Sequence, residues 1–176
     1  ILALIICAIV VIVFSSKVSA IPFFPSNLKD KDHILEGLDL KNNQIIIDLG
    51  AGTGTVIFAA AEEAYKRNLD TQFVAIEINF ILTAIMHIKN LFHPHKKNIR
   101  IITADLFTYN YKNLLTKEYK QTTYYMYVSP WFTDQMAEIV KNIGNNVHFV
   151  TYFYPIKKMT ATKTLHGLHT TFIYKV

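Results

Sequence analysis

The sequence predicts an α/β fold in which a mostly parallel β-sheet carries helices on both faces and ends in an antiparallel hairpin. Three isoleucines at positions 45–47 precede a glycine-rich turn and a helical pattern, which is how a doubly wound sheet begins. Short apolar segments then alternate with helix-like segments as far as residue 153. Two segments rich in Thr, Ile and Phe close the chain around Gly167, as in a hairpin.

Length, charge and cysteine content limit the possible functions. The 176 residues suffice for one ordinary domain. Cys7 is the only cysteine, which excludes an intramolecular disulfide and a cysteine-based metal site. The net charge of +5 suits nucleic acid or an anionic membrane. Nucleic acid is not favoured, because the lysines are scattered and no aromatic RNA-binding signature is present.

The first residues predict a hydrophobic helix. Residues 1–14 are apolar without interruption, and we interpret residues 1–20 as a membrane anchor. Fourteen residues cover about 21 Å of the roughly 30 Å hydrocarbon core, so spanning requires a longer native segment. A secretory signal is the alternative, since Val18-Ser19-Ala20 resembles a small-residue cleavage site. A buried core helix is the third interpretation.

A pre-domain segment is expected at residues 21–43, followed by the main domain at residues 44–176. Pro22 and Pro25 flank two phenylalanines, a pattern typical of extended chain. A short helix is predicted from Asn27 or Asp32 to Gly37.

The remaining pattern predicts the elements of the main domain. Helices are expected from residue 55 to about 67 and from 79 to 90. A third helix is expected to begin with Thr133 or Asp134 as its cap and to run through Lys141, and Gly144 is expected to end it. A short helix and loop are expected within 109–121. The strands following the first are predicted at residues 71–77, 98–104, 122–128, 146–153, 159–165 and 169–176.

The glycine turn indicates a ligand. Asp48 precedes three glycines at alternate positions, Gly50, Gly52 and Gly54. A dinucleotide fold uses the spacing G-x-G-x-x-G, and here Thr55 stands where its last glycine would fall. The D-x-G-x-G-x-G arrangement resembles motif I of the class I S-adenosylmethionine (SAM) methyltransferases. That resemblance implies that Asp48 and the three glycines hold the methionine end of SAM.

Two further acids follow predicted strands. Glu77 ends the second strand, where a carboxylate can accept both hydroxyls of an adenosine ribose, in nicotinamide and SAM enzymes alike. Asp105 follows the third strand. The family resemblance implies that Asp105 faces the adenine amino group and that Leu106 or Phe107 packs against the ring. His93 and His95 flank Pro94 without a further suitably placed ligand, so no metal is expected.

The carboxyl end of the fourth strand is the predicted place for the substrate. Ser129 and Trp131 follow that strand, which in an open parallel sheet lies beside the first. Trp131 offers a flat face that can line a channel or hold a cation, or it can be a packing anchor.

The whole pattern resembles the membrane-anchored ATP synthase c-subunit lysine methyltransferase family. The matching segments are IPFFPSN, IIIDLGAGTGTVIFAAA, VAIEIN, ADLF, YVSPWFTDQM, TYFYPIKK and TFIYKV. The resemblance implies a Rossmann-like seven-stranded fold, SAM as the cofactor and a protein lysine as the acceptor, possibly in a membrane protein. It also implies that Ser129, Trp131 and Tyr154 position the amine. The domain would then lie on the cytoplasmic or, in a eukaryote, the mitochondrial side of a membrane.

Several alternatives stay open at this point. Thr53 stands where many members have an acid, and Ser129-Pro130 replaces the Asn-Pro-Pro-aromatic motif of many amine methyltransferases. The acceptor can therefore be a small molecule or RNA. An inactive methyltransferase-like scaffold that binds a membrane protein is a further alternative. A nicotinamide oxidoreductase is disfavoured, because no Tyr-x-x-x-Lys constellation follows the nucleotide motifs.

Overall fold

The computed structural model describes residues 24–115 and 117–176. The anchor predicted for residues 1–20 lies outside this part, and no helix within it is long and apolar enough to cross a membrane. Helices of the described part are α1 (Lys31–Leu38), α2 (Thr55–Lys66), α3 (Phe80–Leu91) and α4 (Thr133–Val140). The strands are β1 (Gln44–Leu49), β2 (Gln72–Glu77), β3 (Ile99–Thr103), β4 (Gln121–Met126), β5 (Val147–Tyr152), β6 (Lys163–His166) and β7 (Thr170–Lys175).

The strands form one seven-stranded sheet in the order β3-β2-β1-β4-β5-β7-β6. The five strands from β1 to β5 are parallel, whereas β7 runs antiparallel to both β5 and β6. The predicted mostly parallel sheet with a closing hairpin is therefore confirmed. Because β1 lies between β2 and β4, the strand order reverses beside it, where doubly wound sheets bind their ligands.

Hydrophobic cores cover both faces of the sheet. Ile45 and Ile47 of β1 point into one core, and Ile46 points into the other. Helices α1, α2 and α3 contribute buried residues to the core around Ile46, whereas α4 contributes to the core on the opposite face. This alternation with period two explains why β1 reads as an unbroken apolar run.

Most predicted elements are present, with several corrections. The short helix predicted within residues 109–121 is present as a 3₁₀-helix, Tyr111–Leu114. Strand β6 begins only at Lys163, so residues 159–162 do not belong to it. Thr133 is the first residue of α4 rather than its cap, and its hydroxyl donates to the carbonyl of Pro155 at 3.2 Å. Gly144 lies beyond the end of α4, and a Cβ there would lie only 2.2 Å from Thr122 Oγ1.

The chain before β1 is attached to the sheet through Asp30. A 3₁₀-helix, Leu28–Asp30, is capped by Asn27, one of the two predicted helix starts, and leads into α1. The buried Asp30 carboxylate accepts hydrogen bonds from the backbone N–H groups of Leu168 and His169 at 2.7 and 2.9 Å. It also accepts one from the Tyr152 hydroxyl at 2.6 Å. This carboxylate therefore joins the pre-domain segment to β5 and to the turn between β6 and β7.

Candidate cofactor and acceptor site

The glycine turn folds over the end of β2. The N–H groups of Gly50 and Ala51 both donate to the carbonyl of Ile76, at 3.0 Å each. Gly50, Gly52 and Gly54 have φ angles of 84°, 57° and 77°. These values lie in the left-handed region that side chains with a Cβ disfavour. The alternate glycines are therefore required by the path of the backbone.

Glu77 holds this turn against the beginning of α3. Its Oε2 accepts from the Gly52 N–H and its Oε1 from the Asn79 N–H, both at 2.9 Å. Each carboxylate oxygen can accept a second hydrogen bond, so the group retains capacity for two ligand hydroxyls. The predicted position of Glu77 at the end of β2, beside the glycine turn, agrees with the structure.

Asp48 is a buried carboxyl group. Only 3% of it is exposed, and none of the ion pairs in the described part of the chain involves it. Burial, and then the negative charge of Glu77, raise the pKa of Asp48 to about 8. A cationic ligand group would compensate the charge of the ionised form. The site is therefore chemically suited to the ammonium of an amino-acid moiety.

The backbone before α1 covers the cavity beside Asp48. Residues 24–26, named here the strap, line this cavity together with the glycine turn, Tyr125 and Tyr127. Ser26 Oγ and Tyr125 Oη form a hydrogen bond at 2.7 Å. The cavity measures only about 20 Å³. A cavity of this size holds a water molecule but no amino-acid moiety, so binding of such a ligand requires the cavity to widen.

Asp105 and Leu106 lie at the same edge of the sheet. The Ala104 N–H donates to the carbonyl of Glu77 at 3.0 Å, which places the start of this loop beside the end of β2. Asp105 is partly exposed, and its Oδ1 accepts from the Phe107 N–H at 2.9 Å. The buried Leu106 approaches the turn, because its Cδ1 would lie 3.7 Å from a Cβ on Gly50.

A second cavity adjoins the first at the carboxyl end of β4. It has a volume of about 210 Å³. The three predicted substrate-positioning residues, Ser129, Trp131 and Tyr154, all line it, together with Phe24, Tyr127, Val128 and Pro130. Trp131 is 81% exposed, which excludes the packing-anchor interpretation.

Phe24 and Tyr127 line both cavities. The sequence pattern does not mark these two residues, or Ser26 and Tyr125, as site residues. The proline-bounded aromatic segment was the available signal for Phe24 and Ser26. The two tyrosines belong to a run in and after β4, in which spacing alone does not distinguish core from cavity.

The histidine pair makes packing contacts. His93 Nε2 lies 3.3 Å from the carbonyl oxygen of Phe58, and the His95 ring stands edge-on to Tyr65 and Phe73. Within residues 24–115 and 117–176, no group of three or more His, Cys, Asp or Glu side chains is arranged to hold a metal ion.

Comparisons with known proteins identify the architecture. At the level of sequence, no protein-family model and no curated protein matches the chain. Among solved structures, an RNA methyltransferase from Salinibacter ruber in complex with S-adenosyl-L-homocysteine is similar, with a TM-score of 0.71 and 18% identity. The match covers 86% of this chain and 93% of that protein.

Two other methyltransferase structures resemble the chain less completely. A SAM-dependent O-methyltransferase from Thermotoga maritima has a TM-score of 0.55 and 17% identity, over 74% of this chain and 45% of that one. A precorrin-6y C5,15-methyltransferase from Geobacter metallireducens has a TM-score of 0.55 and 15% identity, over 73% and 63%. Identities this low establish the fold alone. The chain has the fold of the class I SAM-dependent methyltransferases.

Proposed function

We propose that the chain is a SAM-dependent methyltransferase and that its acceptor is a protein lysine at a membrane. The observation that carries the proposal is the pair of adjoining cavities with shared walls, Phe24 and Tyr127. One cavity contains the buried carboxyl group of Asp48 and the glycine turn. The other opens beside it and is lined by aromatic rings. A methyl donor in the first would meet an acceptor in the second.

In the proposed complex each cofactor group has a matching residue. Asp48 and the N–H groups of the glycine turn hold the amino-acid end, and Glu77 accepts the ribose hydroxyls. Asp105 accepts from the adenine amino group, and Leu106 lies against the ring. SAM supplies a methyl group on a positively charged sulfur, which is already a good leaving group. The protein residues therefore contribute alignment and exclusion of water.

Transfer of the methyl group forms a bond between the acceptor nitrogen and the methyl carbon. The electrons of the carbon–sulfur bond pass to sulfur. The product is at first a protonated methylamine, and it releases its extra proton to water. Among the described residues that line the acceptor cavity there is no carboxylate or histidine. Lysine must therefore arrive neutral, which desolvation and a nearby sulfonium favour by lowering its pKa. The hydroxyls of Ser129 and Tyr154 are available to orient the amine.

The aromatic walls support a cationic acceptor. Trp131, Tyr127 and Tyr154 can each present a ring face to an ammonium group. The rings of Tyr127 and Tyr154 are stacked, with 6.3 Å between their centroids and an interplanar angle of 29°. Burial raises the pKa of the Tyr127 phenol, so this group remains a neutral hydrogen-bonding partner at physiological pH. The apolar residues 1–14 are the reason for placing the acceptor at a membrane. The narrower likeness to the c-subunit lysine methyltransferase family remains a prediction.

RNA is the second candidate acceptor, because the Salinibacter ruber protein matches over 93% of its length. Aromatic rings that hold an ammonium can also stack on an unpaired base. Incubating radiolabelled SAM with membranes and with RNA from the source organism distinguishes the two. Label in a protein that maps to lysine supports the proposal, whereas label in RNA alone contradicts the lysine acceptor.

Cofactor binding is tested by calorimetric titration with S-adenosylhomocysteine. We expect a dissociation constant in the micromolar range for the native chain and no detectable binding for Gly52→Arg. An arginine at this left-handed position would be strained, and Gly52 lines the cavity beside Asp48 that the cofactor would occupy. The control is an unchanged circular dichroism spectrum of Gly52→Arg. Absence of binding by the native chain would favour the inactive-scaffold alternative.

The acceptor cavity is tested with Trp131→Ala. We expect the KM for the acceptor to rise about tenfold, because a cation–π contact is worth roughly 1–2 kcal/mol. The affinity for S-adenosylhomocysteine should not change, since Trp131 does not line the cavity beside Asp48. Tyr65→Ala is the matched control, because Tyr65 is a half-exposed aromatic residue of α2 that lines neither cavity. An equal rise in KM for both variants would contradict the assignment.

A further inference from the structure

Helix α3 ends in a group of large apolar side chains that face solvent. Ile88, Leu91 and Phe92 are 60%, 65% and 84% exposed. Ile88 and Leu91 share a shallow surface depression with Lys96 and Lys97 from the following loop. We call these five residues the α3 patch. Exposed apolar residues grouped in this way commonly mark an interaction surface.

The charges on the chain segment that carries the α3 patch have one sign. No Asp or Glu occurs between Glu77 and Asp105, whereas this stretch contains Lys89, Lys96, Lys97 and Arg100. Lys96 Nζ donates to the carbonyl of Leu91 at 3.1 Å, which holds its ammonium group at the end of α3. Lys96 and Lys97 are both exposed. Cations therefore lie directly beside the apolar side chains.

We propose that the α3 patch docks on the surface of an anionic lipid bilayer. Apolar side chains at such a surface enter the boundary between headgroups and acyl chains, while neighbouring lysines bind the anionic headgroups. A nucleic acid would use the lysines but would leave Ile88 and Leu91 without a partner. None of the patch residues lines the cofactor or acceptor cavity, so docking leaves both open. The inference does not depend on the proposed methyl transfer.

The test measures insertion at the patch itself, because the apolar residues 1–14 can bind lipid independently. Trp131 is the only tryptophan, so Phe92→Trp in a Trp131→Phe background places one indole in the patch of the full chain. Its fluorescence is measured with phosphatidylcholine vesicles that contain phosphatidylserine and brominated acyl chains. We expect strong quenching by the bromine atoms. Trp131 of the native chain, equally exposed but outside the patch, should be quenched far less.

Charge reversal gives the matched comparison. Adding Lys96→Glu and Lys97→Glu should weaken the vesicle affinity measured by this quenching at least about tenfold, since each lysine near an anionic surface contributes about 1 kcal/mol. Lys157→Glu with Lys158→Glu changes the net charge equally outside the patch and should have little effect.

Three results would overturn the proposal. The first is absence of quenching in the Phe92→Trp chain. The second is quenching that stays the same when phosphatidylserine is left out of the vesicles or when Lys96 and Lys97 are replaced by glutamate. The third is an indole emission already shifted to short wavelength without vesicles, which would show that another part of the chain covers the patch.

Discussion

Replacing Asp48 by asparagine is expected to weaken cofactor binding strongly and, at the same time, to stabilise the unliganded protein. The buried carboxyl group has a pKa of about 8, against about 4 in the unfolded chain. A raised pKa in the folded state means that Asp48 contributes stability below pH 4. This contribution is lost as the pH rises from about 4 to 8. The amide introduced by Asp48→Asn is neutral at every pH, so at pH 7 we expect a gain of up to about 4 kcal/mol in the free energy of unfolding.

The same substitution removes the charge that the proposed ligand requires. An ionised Asp48 offers a charge-assisted hydrogen bond to the ammonium of the cofactor, whereas an amide does not. We expect the affinity for S-adenosylhomocysteine to fall about 100-fold or more. In the native chain this affinity should rise with pH between about 6 and 8, because ligand binding must displace a proton from Asp48. The affinity of Asp48→Asn should lack this pH dependence.

Glu77→Gln separates the two contributions to the Asp48 pKa. Without the charge of Glu77, the pH range over which affinity rises should move downward, while the part caused by burial remains. Urea unfolding of the unliganded proteins and calorimetric titration provide the two measurements. Loss of stability in Asp48→Asn at pH 7, or pH-independent binding by the native chain, would show that the carboxyl group is not held neutral.

The sequence sufficed to predict those parts of the site that depend on local backbone chemistry. Asp48 and Glu77 each end a strand, and the parallel arrangement of β1 and β2 brings such residues to the same edge. The spacing of the glycines predicts the turn, because the turn needs positive φ at alternate positions. Asn79 was predictable as the cap of α3 for a similar reason: its side chain accepts from the Ile81 N–H two residues later.

Contacts between distant parts of the chain were not predictable in this way. The bond between Ser26 and Tyr125 joins residues 99 positions apart, and no local pattern announces it. Phe24 reads equally well as a membrane-proximal or a packing residue, yet it forms a wall of both cavities. Likewise, Thr133 is of a residue type that often caps helices, but its hydroxyl donates to the carbonyl of Pro155 instead. Tertiary contacts decide such positions.

Asp30→Ala is expected to destabilise the protein most among the substitutions considered. The carboxylate is 2% exposed and accepts three hydrogen bonds, two of them from backbone N–H groups in the turn between β6 and β7. Its removal leaves the buried Tyr152 hydroxyl and two partly buried N–H groups without their acceptor, which should cost about 2–4 kcal/mol. Glu62→Ala is the matched control, because the Glu62 carboxylate lies on α2, is 55% exposed and pairs with the exposed Lys66. That pair contributes at most about 1 kcal/mol.

The effect of Asp30→Ala should depend on pH in the direction opposite to that of Asp48. Burial alone would raise the pKa of Asp30, but its hydrogen bonds to Tyr152, His169 and Leu168 outweigh burial and lower it. The stability it contributes is therefore fully present above about pH 4 and is lost as the pH falls through the lowered value. The difference in unfolding free energy between the native chain and Asp30→Ala should accordingly shrink in acid. A difference that is constant from neutral to acidic pH would assign it to packing instead.

Asp30 also links stability to the site, because the strap ends four residues before it in the chain. Without the hydrogen bonds of the Asp30 carboxylate, the strap should be held mainly by the hydrogen bond between Ser26 and Tyr125. We therefore expect Asp30→Ala to increase the rates of both association and dissociation of S-adenosylhomocysteine, measured by stopped flow at a temperature where the variant remains folded. Ser26→Ala should produce the same change in rates with little loss of stability. Faster exchange in Asp30→Ala but not in Ser26→Ala would indicate that general loosening of the fold, rather than opening of the strap, admits the ligand.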